Sequence, residues 1–240
     1  MNKNKYSVFA ESDIRSGVNG RYHCMKIITI PENSQQILDI EEKEVKIVAK
    51  KNSKAHILIK AENIITETEE NAKIILFTLS SAKVHAKLIG DNSNQRTINL
   101  FKANNEEITI DTKSEHTGKN TNSRIETKGT LTKSTATTRG MVKINPQADE
   151  ADGYQKSDLL ILDNSKAISI PDLEIHNHNV TCSHGSTITK LDQDQIFYMQ
   201  SRGLKKEDAE KEIINGFFTA MLKDIPEELT KKIKQKLELI

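Results

Sequence analysis

The densest set of metal-competent side chains in the sequence is Glu174, His176, His178, Cys182 and His184. All five positions are even, and residues two apart on an uninterrupted strand share a face, so one extended strand presents them together. Imidazole, thiolate and carboxylate are ligands for iron or zinc. A turn near Asn177 or Asn179 breaks that parity, and the competing reading is an exposed polar strand with Cys182 buried. An intermolecular site that uses His184 alone needs no parity.

A second group, Asp149, Glu150, Asp152 and Asp158, surrounds Gly153-Tyr154. Paired carboxylates at a controlled separation in a cleft would suit a solenoid glycan-processing enzyme. Between Pro146 and Gly153 the same residues also read as a solvated turn. The sequence has no phosphate-binding glycine loop, no Gly-x-Ser-x-Gly elbow and no His-Glu-x-x-His. The expectation is a protein that is not an enzyme.

The elements that must position these residues change character along the chain. Residues 1–25 are a short N-terminal segment punctuated by Gly17 and Gly20. From 26 to 190, β-branched segments such as Val45-Lys46-Ile47-Val48, Ile74-Ile75-Leu76-Phe77 and Thr97-Ile98-Asn99-Leu100-Phe101 recur, separated by polar connectors. A sandwich or barrel and a wound β-solenoid both fit that spacing. Glycine-dependent hairpin turns are scarce: no proline stands between Pro31 and Pro146, and glycine there is confined to 90, 118, 129 and 140. This punctuation favours rungs that wind over strands that fold back.

Residues 191–240 read as a small helical subdomain. Asp192 followed by Gln195 is a capping-box-like start, and Gly203 is a stop. Glu207, Asp208 and Glu210 sit at the positive end of a second helix, and Pro226 opens a third that carries Leu229, Ile233 and Leu237. Two rows on the second helix and its continuation, Ile213, Phe217, Met221 and Ile214, Phe218, Leu222, form a wide apolar stripe. That stripe either caps the open end of the β-domain or docks a partner protein.

Charge is balanced, with 35 Lys+Arg against 34 Asp+Glu, so no basic field recruits nucleic acid or a membrane surface. Aromatics are 4%, tryptophan is absent, and the two cysteines, Cys24 and Cys182, make no disulfide framework. There is no secretory apolar stretch and no run long enough to span a bilayer. The expected location is the cytoplasm.

Five motifs in order, Ser123-Arg124-Ile125-Glu126-Thr127-Lys128-Gly129-Thr130-Leu131, Thr138-Arg139-Gly140-Met141-Val142, Gln155-Lys156-Ser157-Asp158-Leu159-Leu160-Ile161-Leu162, Cys182-Ser183-His184-Gly185 and Asp194 through Gly203, resemble the SufB/SufD family over roughly residues 120–222. The resemblance implies a mainly β fold, a right-handed parallel β-helix followed by C-terminal helices. It implies a scaffold in iron–sulfur cluster assembly that pairs with a SufB/SufD-type subunit as a homo- or heterodimer. Helical tails in the family bind SufC, an ABC-type ATPase, which makes Ile213, Ile214, Phe217, Phe218, Met221 and Leu222 the expected docking residues. His184 matches the family's interfacial histidine, with Cys182 beside it as a second candidate ligand for a transient iron–sulfur cluster. The cysteine that SufB uses as sulfur acceptor falls, by spacing to Pro171, at Ser165. Ser183 and Gly185 replace SufB-type acidic neighbours, so the chain resembles SufD more closely. No flavin motif is present, and His176 and His178 depart from the family pattern. A subunit that only holds its partners in place, without ligating a cluster, is the alternative.

Overall fold

The computed structural model describes residues 14–16 and 23–239, so most of the 1–25 segment, with its glycine turns, lies outside the described residues. Two parallel sheets face each other. The first contains β2 (His23–Ile30), β4 (Glu44–Ala49), β6 (Asn63–Thr68), β8 (Ala82–Leu88), β10 (Glu107–His116), β12 (Thr135–Ile144) and β14 (Lys166–Ile175), with β1 (Ile14–Ser16) antiparallel on β2. The second contains β3 (Gln35–Glu41), β5 (Lys54–Lys60), β7 (Lys73–Thr78), β9 (Asn94–Asn104), β11 (Asn122–Thr132), β13 (Asp152–Ile161) and β15 (Thr181–Lys190). The chain alternates between sheets, so each strand pairs with the one two earlier. This is a wound solenoid, a parallel β-helix, and the sandwich alternative is excluded.

Asparagine explains how a glycine-poor sequence turns these corners. Asn33, Asn52, Asn71, Asn92 and Asn120 all have φ between 50° and 58°. Asn tolerates this left-handed region better than other residues with a Cβ. Their side chains form a ladder: the Asn52 amide donates to Asn33 Oδ1 and the Asn71 amide to Asn52 Oδ1, each at 3.0 Å, and the Asn120 amide to Asn92 Oδ1 at 2.6 Å. The ladder also measures the rungs. Its steps are 19 residues long in the first half and 28 in the second, where strands lengthen from 6–8 to 10–11 residues.

Inward positions of the short rungs are aliphatic, and Ile47, Ile57, Ile64 and Ile74 are fully enclosed. Each such side chain contributes roughly 1.5–3 kcal/mol relative to exposure. Midway the interior becomes polar, and its buried amides are satisfied while the Ser93 and Ser114 hydroxyls are left without a partner. Gln95 Oε1 accepts from Thr66 at 2.7 Å, and Asn99 Oδ1 accepts from Thr78 at 2.7 Å while its amide donates to Thr112 and Thr127 at 3.1 Å. Phe101 then fills the space above Gly129, where a Cβ would come within 2.2 Å of the ring. That glycine lies in the first of the five family-like motifs because the ring needs its place.

The tail has three helices, α1 (Gln193–Ser201), α2 (Lys206–Thr219) and α3 (Glu227–Lys236), with a 3-10 turn at Ala220–Leu222. Asp192 caps α1 by accepting from the N–H groups of Asp194 and Gln195, and Gly203, at φ 94°, follows its end. The tail does not cap the end of the β-helix, one of the two readings of the apolar stripe. It lies along the flank of the second sheet, where Phe218, Met221, Leu222, Leu229, Ile233 and Leu237 pack on outward-facing Leu58, Phe77, Ile98 and Leu100. Lys232 and Lys236 pin α3 to Asp39 at 3.3 and 3.7 Å. Among the described residues, no helix is long and apolar enough to cross a membrane.

Candidate functional site at the open end of the helix

The last rung is uncovered. β14 ends the first sheet and β15 the second, and each pairs with one strand only. Leu173, Ile175 and Ile188 occupy inward register positions yet are exposed, because among the described residues no further rung lies over them. Ile168 and Ile170 face outward on β14 and are also exposed. Parallel strands with an unpaired edge and apolar side chains are an incomplete structure in water.

The five-ligand strand does not form. The chain turns between Ile175 and Thr181, which leaves Glu174 and His176 at the end of the first sheet and carries Cys182 and His184 to the second. Among the described residues, no group of three or more His, Cys, Asp or Glu side chains could hold a metal ion. Glu174 instead accepts from Lys143 at 2.8 Å and lies 2.9 Å from His176 Nε2. The lysine first, and then the histidine, hold its carboxyl down to about 2. His178 is exposed in the turn.

Cys182 and His184 share the inward face of β15, opposite Gly153 and Gln155 of β13 in register. The Gln155 amide donates across the interior to the Asp172 carbonyl at 2.9 Å, so His184, one rung on, faces the middle of β14. The His184 ring is exposed at this mouth. Cys182 is half-buried against Ile125, Val142 and Val180, and burial pushes its thiol up from the usual range. It is therefore a protonated thiol at neutral pH, without the cationic neighbour that activates a nucleophilic cysteine.

Behind Cys182 lies a buried histidine that the sequence reading did not single out. A Cβ on Gly153 would come within 3.4 Å of Cys182 Sγ and 3.6 Å of His116 Nε2, so the glycine separates the two. His116 Nδ1 and Nε2 lie 2.7 Å from the hydroxyls of Thr121 and Ser123. Thr121 spends its proton on the Gly118 carbonyl at 3.2 Å, so it accepts from Nδ1–H and Ser123 donates to Nε2. That network assigns the neutral Nδ1–H tautomer. Desolvation lowers the ring to about 4, and nearby Arg124 adds to the effect against Asp152. Alternation around Ser114, His116 and Ser123 marks these as inward positions, but three polar residues on strand faces gave no sign that the interior itself was polar.

The remaining candidates separate. Asp152 chelates Arg124 at 2.6 and 3.0 Å, Asp158 meets Lys156 at 2.9 Å, Asp149 accepts from the Asn179 amide at 2.9 Å, and Glu150 is a corner residue at φ 56°. These acids are structural partners on the outside of the rungs, and no paired-carboxylate cleft forms from them. Ser165 Oγ accepts from the Ser134 N–H at 3.1 Å and lines a shallow 320 Å³ hollow with Asp163, Asn164 and Lys190. Of the six expected docking residues, Phe218, Met221 and Leu222 are buried against the β-helix, and Ile213, Ile214 and Phe217 are partly covered. The stripe is an internal seam, because the outer face of the second sheet is itself apolar. Lys128 reinforces it, donating to the Phe217 carbonyl at 3.0 Å and lying 4.4 Å from that ring's centroid. The tail's exposed aromatics are Phe197 and Tyr198 on α1, 73% and 58% accessible.

Residues 75–217 match the family described as SUF system FeS cluster assembly, SufBD core domain. An iron–sulfur cluster assembly SufBD family protein of Synechocystis sp. is 34% identical over 155 residues, which cover 63% of this chain and 32% of that protein. A relative of the same description from Porphyra purpurea gives the same figures. One from Mycobacterium leprae is 31% identical over 126 residues, 52% of this chain and 14% of the relative. The chain thus spans a third or less of the length of these relatives.

Proposed function

The chain belongs to the SufBD family, and from that premise we propose that it is a scaffold subunit of SUF iron–sulfur cluster assembly with no turnover of its own. The observation that carries this reading is the uncovered terminal rung, which offers two free sheet edges and an exposed histidine on one face. A SufB/SufD-type subunit pairs there and supplies the ligands that this chain lacks. The cluster is cargo. His184 holds it from this side through an imidazole nitrogen, and Cys182, two residues away on the same face, joins only when metal displaces the thiol proton that burial retains. Anaerobic reconstitution of the paired complex tests this assignment: His184→Ala lowers cluster content and alters the visible spectrum. Unchanged content and spectrum remove His184 from the mechanism.

A SufC-type ABC ATPase binds the helical tail and hydrolyses ATP. Because the apolar stripe is occupied, the docking face is the opposite side of the tail, with Phe197 and Tyr198 as anchors; large exposed aromatics are the residues from which interface hot spots are built. Phe197→Ala and Tyr198→Ala together abolish co-purification with the ATPase, while Phe218→Ala acts only through stability. Retention of the ATPase by the double variant would falsify this part of the reading.

The alternative, a subunit that holds partners without ligating the cluster, is favoured by two observations. Cys182 is half-buried with a raised pKa, and Ser165 occupies the SufB acceptor position as a turn residue. Simultaneous Cys182→Ala and His184→Ala substitution with normal assembly and normal cluster content selects it.

A further inference from the structure

We propose that Gln155 is a positioning residue for His184: its side chain crosses the lumen one rung beneath the histidine, closes the floor of the mouth and fixes the spacing of the strands that frame it. This rests on the reading of His184 as a ligand and adds the group that holds it in place.

The column that ends in His184 shows where the strut sits. Leu76, Thr97, Ile125, Gln155 and His184 follow one another through the register of the second sheet, all on its inward face. Adjacent strands lie ~4.8 Å apart, so Gln155 is the histidine's immediate neighbour in the column. Gln155 is 3% accessible, and a carboxamide so enclosed needs a partner. Its amide reaches the Asp172 carbonyl on β14 at 2.9 Å. Among the described residues this is the cross-lumen hydrogen bond that reaches the last rung, whereas Thr138 and Ser157, 3.1 Å apart, bridge the rung below.

The neighbouring strands are shaped to the crossing. A Cβ on Gly140 would come within 2.0 Å of Gln155 Oε1, so β12 leaves the path open only because that residue is glycine. Gly140 and Gln155 belong to two different family-like motifs, and they meet here as seat and strut. β14 pairs with β12 alone, so its midpoint is held from inside by Gln155 and from outside by Arg139, whose Nε donates to the Asp172 carboxylate at 2.7 Å. The space left around the strut, beside Pro171 and Gly185, is about 10 Å³. One water needs roughly 10–15 Å³, so the floor is closed to bulk solvent.

His184 itself has no hydrogen-bond or ion-pair partner among the described residues. Its orientation therefore depends on the floor below and the wall opposite, and Gln155 supplies the first and fixes the second. Loss of the groups that orient a metal-binding histidine costs ~10–100-fold in metal affinity. Cys182 stands instead over Gly153, which has no side chain to support it, so the strut serves the histidine.

Anaerobic reconstitution of the paired complex with iron and sulfide tests this, with circular dichroism to confirm that each variant folds. Gln155→Met keeps the length of the side chain and removes its donor. It is expected to alter the visible and paramagnetic resonance spectra of the cluster and to speed its loss to a chelator on the order of tenfold. Gln95→Met is the control, because it cuts buried bonds of the same kind to Thr66 and Thr97 two rungs further in, and it leaves spectra and loss rate at wild-type values. In the metal-free chain, the ring resonances of His184 shift with Gln155→Met and stay in place with Gln95→Met. Gly140→Ala reaches the strut independently: its methyl displaces Gln155 and reproduces the altered spectra, and adding Gln155→Ala recovers the unfolding midpoint without recovering the wild-type spectra. Wild-type spectra and loss rate in Gln155→Met, equal changes in Gln95→Met, or wild-type spectra restored in the double variant each overturn the positioning role. An inert Gln155→Met beside a His184→Ala variant that loses the cluster removes the positioning role alone. A His184→Ala variant with unchanged cluster removes the ligand assignment, and the positioning role with it.

Discussion

The two halves of the β-helix solve different problems with one topology. In the 19-residue rungs the interior is aliphatic, the strands are short and the asparagine ladder runs unbroken from Asn33 to Asn71. In the longer rungs the interior admits Gln95, Asn99, His116 and Gln155, glycines appear where side chains cross the lumen, and the last rung is left without a cover. Enclosed aliphatic core is concentrated at one end and exposed apolar surface at the other. An unpaired edge with exposed isoleucines adds little to folding and must be carried by the rungs beneath it.

The largest contrast is in core deletions. Ile57→Ala, in a fully enclosed position, is expected to cost ~2–5 kcal/mol in denaturant unfolding, whereas Ile188→Ala at the mouth costs well under 1 kcal/mol. Equal losses would abolish the distinction between an enclosed end and an exposed one. The next effect is on pH. His116 titrates at about 4 in the folded chain against 6.5 unfolded, so the unfolded chain takes up the proton first as pH falls. Its contribution is intact above 6.5, declines between 6.5 and 4, and levels off below that, a change of roughly 3 kcal/mol. His116→Gln removes this slope, and an acid limb unchanged by that substitution would place the long-rung sensitivity elsewhere.

A smaller effect is expected at the corners. Asn52→Ala forces a residue with a Cβ into φ 57° and cuts two ladder bonds, for a loss of ~1–2 kcal/mol. Asn179→Ala, beside the open end, removes one exposed bond to Asp149 and costs only a few tenths of a kcal/mol. The smallest shift belongs to His184→Ala, expected within ±0.5 kcal/mol because the ring is exposed. A midpoint displaced well beyond that range would make His184 a structural residue and weaken its assignment as a ligand.

Much of the architecture was legible in the sequence, and the reason is local. Strand-length alternation and the scarcity of Gly and Pro between residues 31 and 146 reflect rungs that wind, and Asp192 and Gly203 mark the bounds of α1 through capping geometry. The five motifs supplied the family. What the sequence left open needed a third dimension. The even numbering of Glu174, His176, His178, Cys182 and His184 implied one face, but a corner after Ile175 divides them between sheets. The stripe from Ile213 to Leu222 showed that the tail was sticky without showing that Leu58, Phe77 and Ile98 face outward to meet it. His116 was silent because its partners, Thr121 and Ser123, are ordinary in strands and become a network only in the interior. Pro171 was the usable clue that went unread: a proline within a strand pattern marks an edge.

The 19-residue step of the short rungs has a consequence for how the length of the β-helix can vary. A segment of that length, copied in frame among the short rungs, carries one inward set, one corner asparagine and one pair of strands, and so inserts as a complete layer ~4.8 Å thick. Placed between β3 and β5, such a layer separates Asp39 from Lys232 and Lys236 by that distance and leaves the mouth at β14 and β15 untouched. Length in this molecule is quantised, and the tail that spans several layers is the element that counts them.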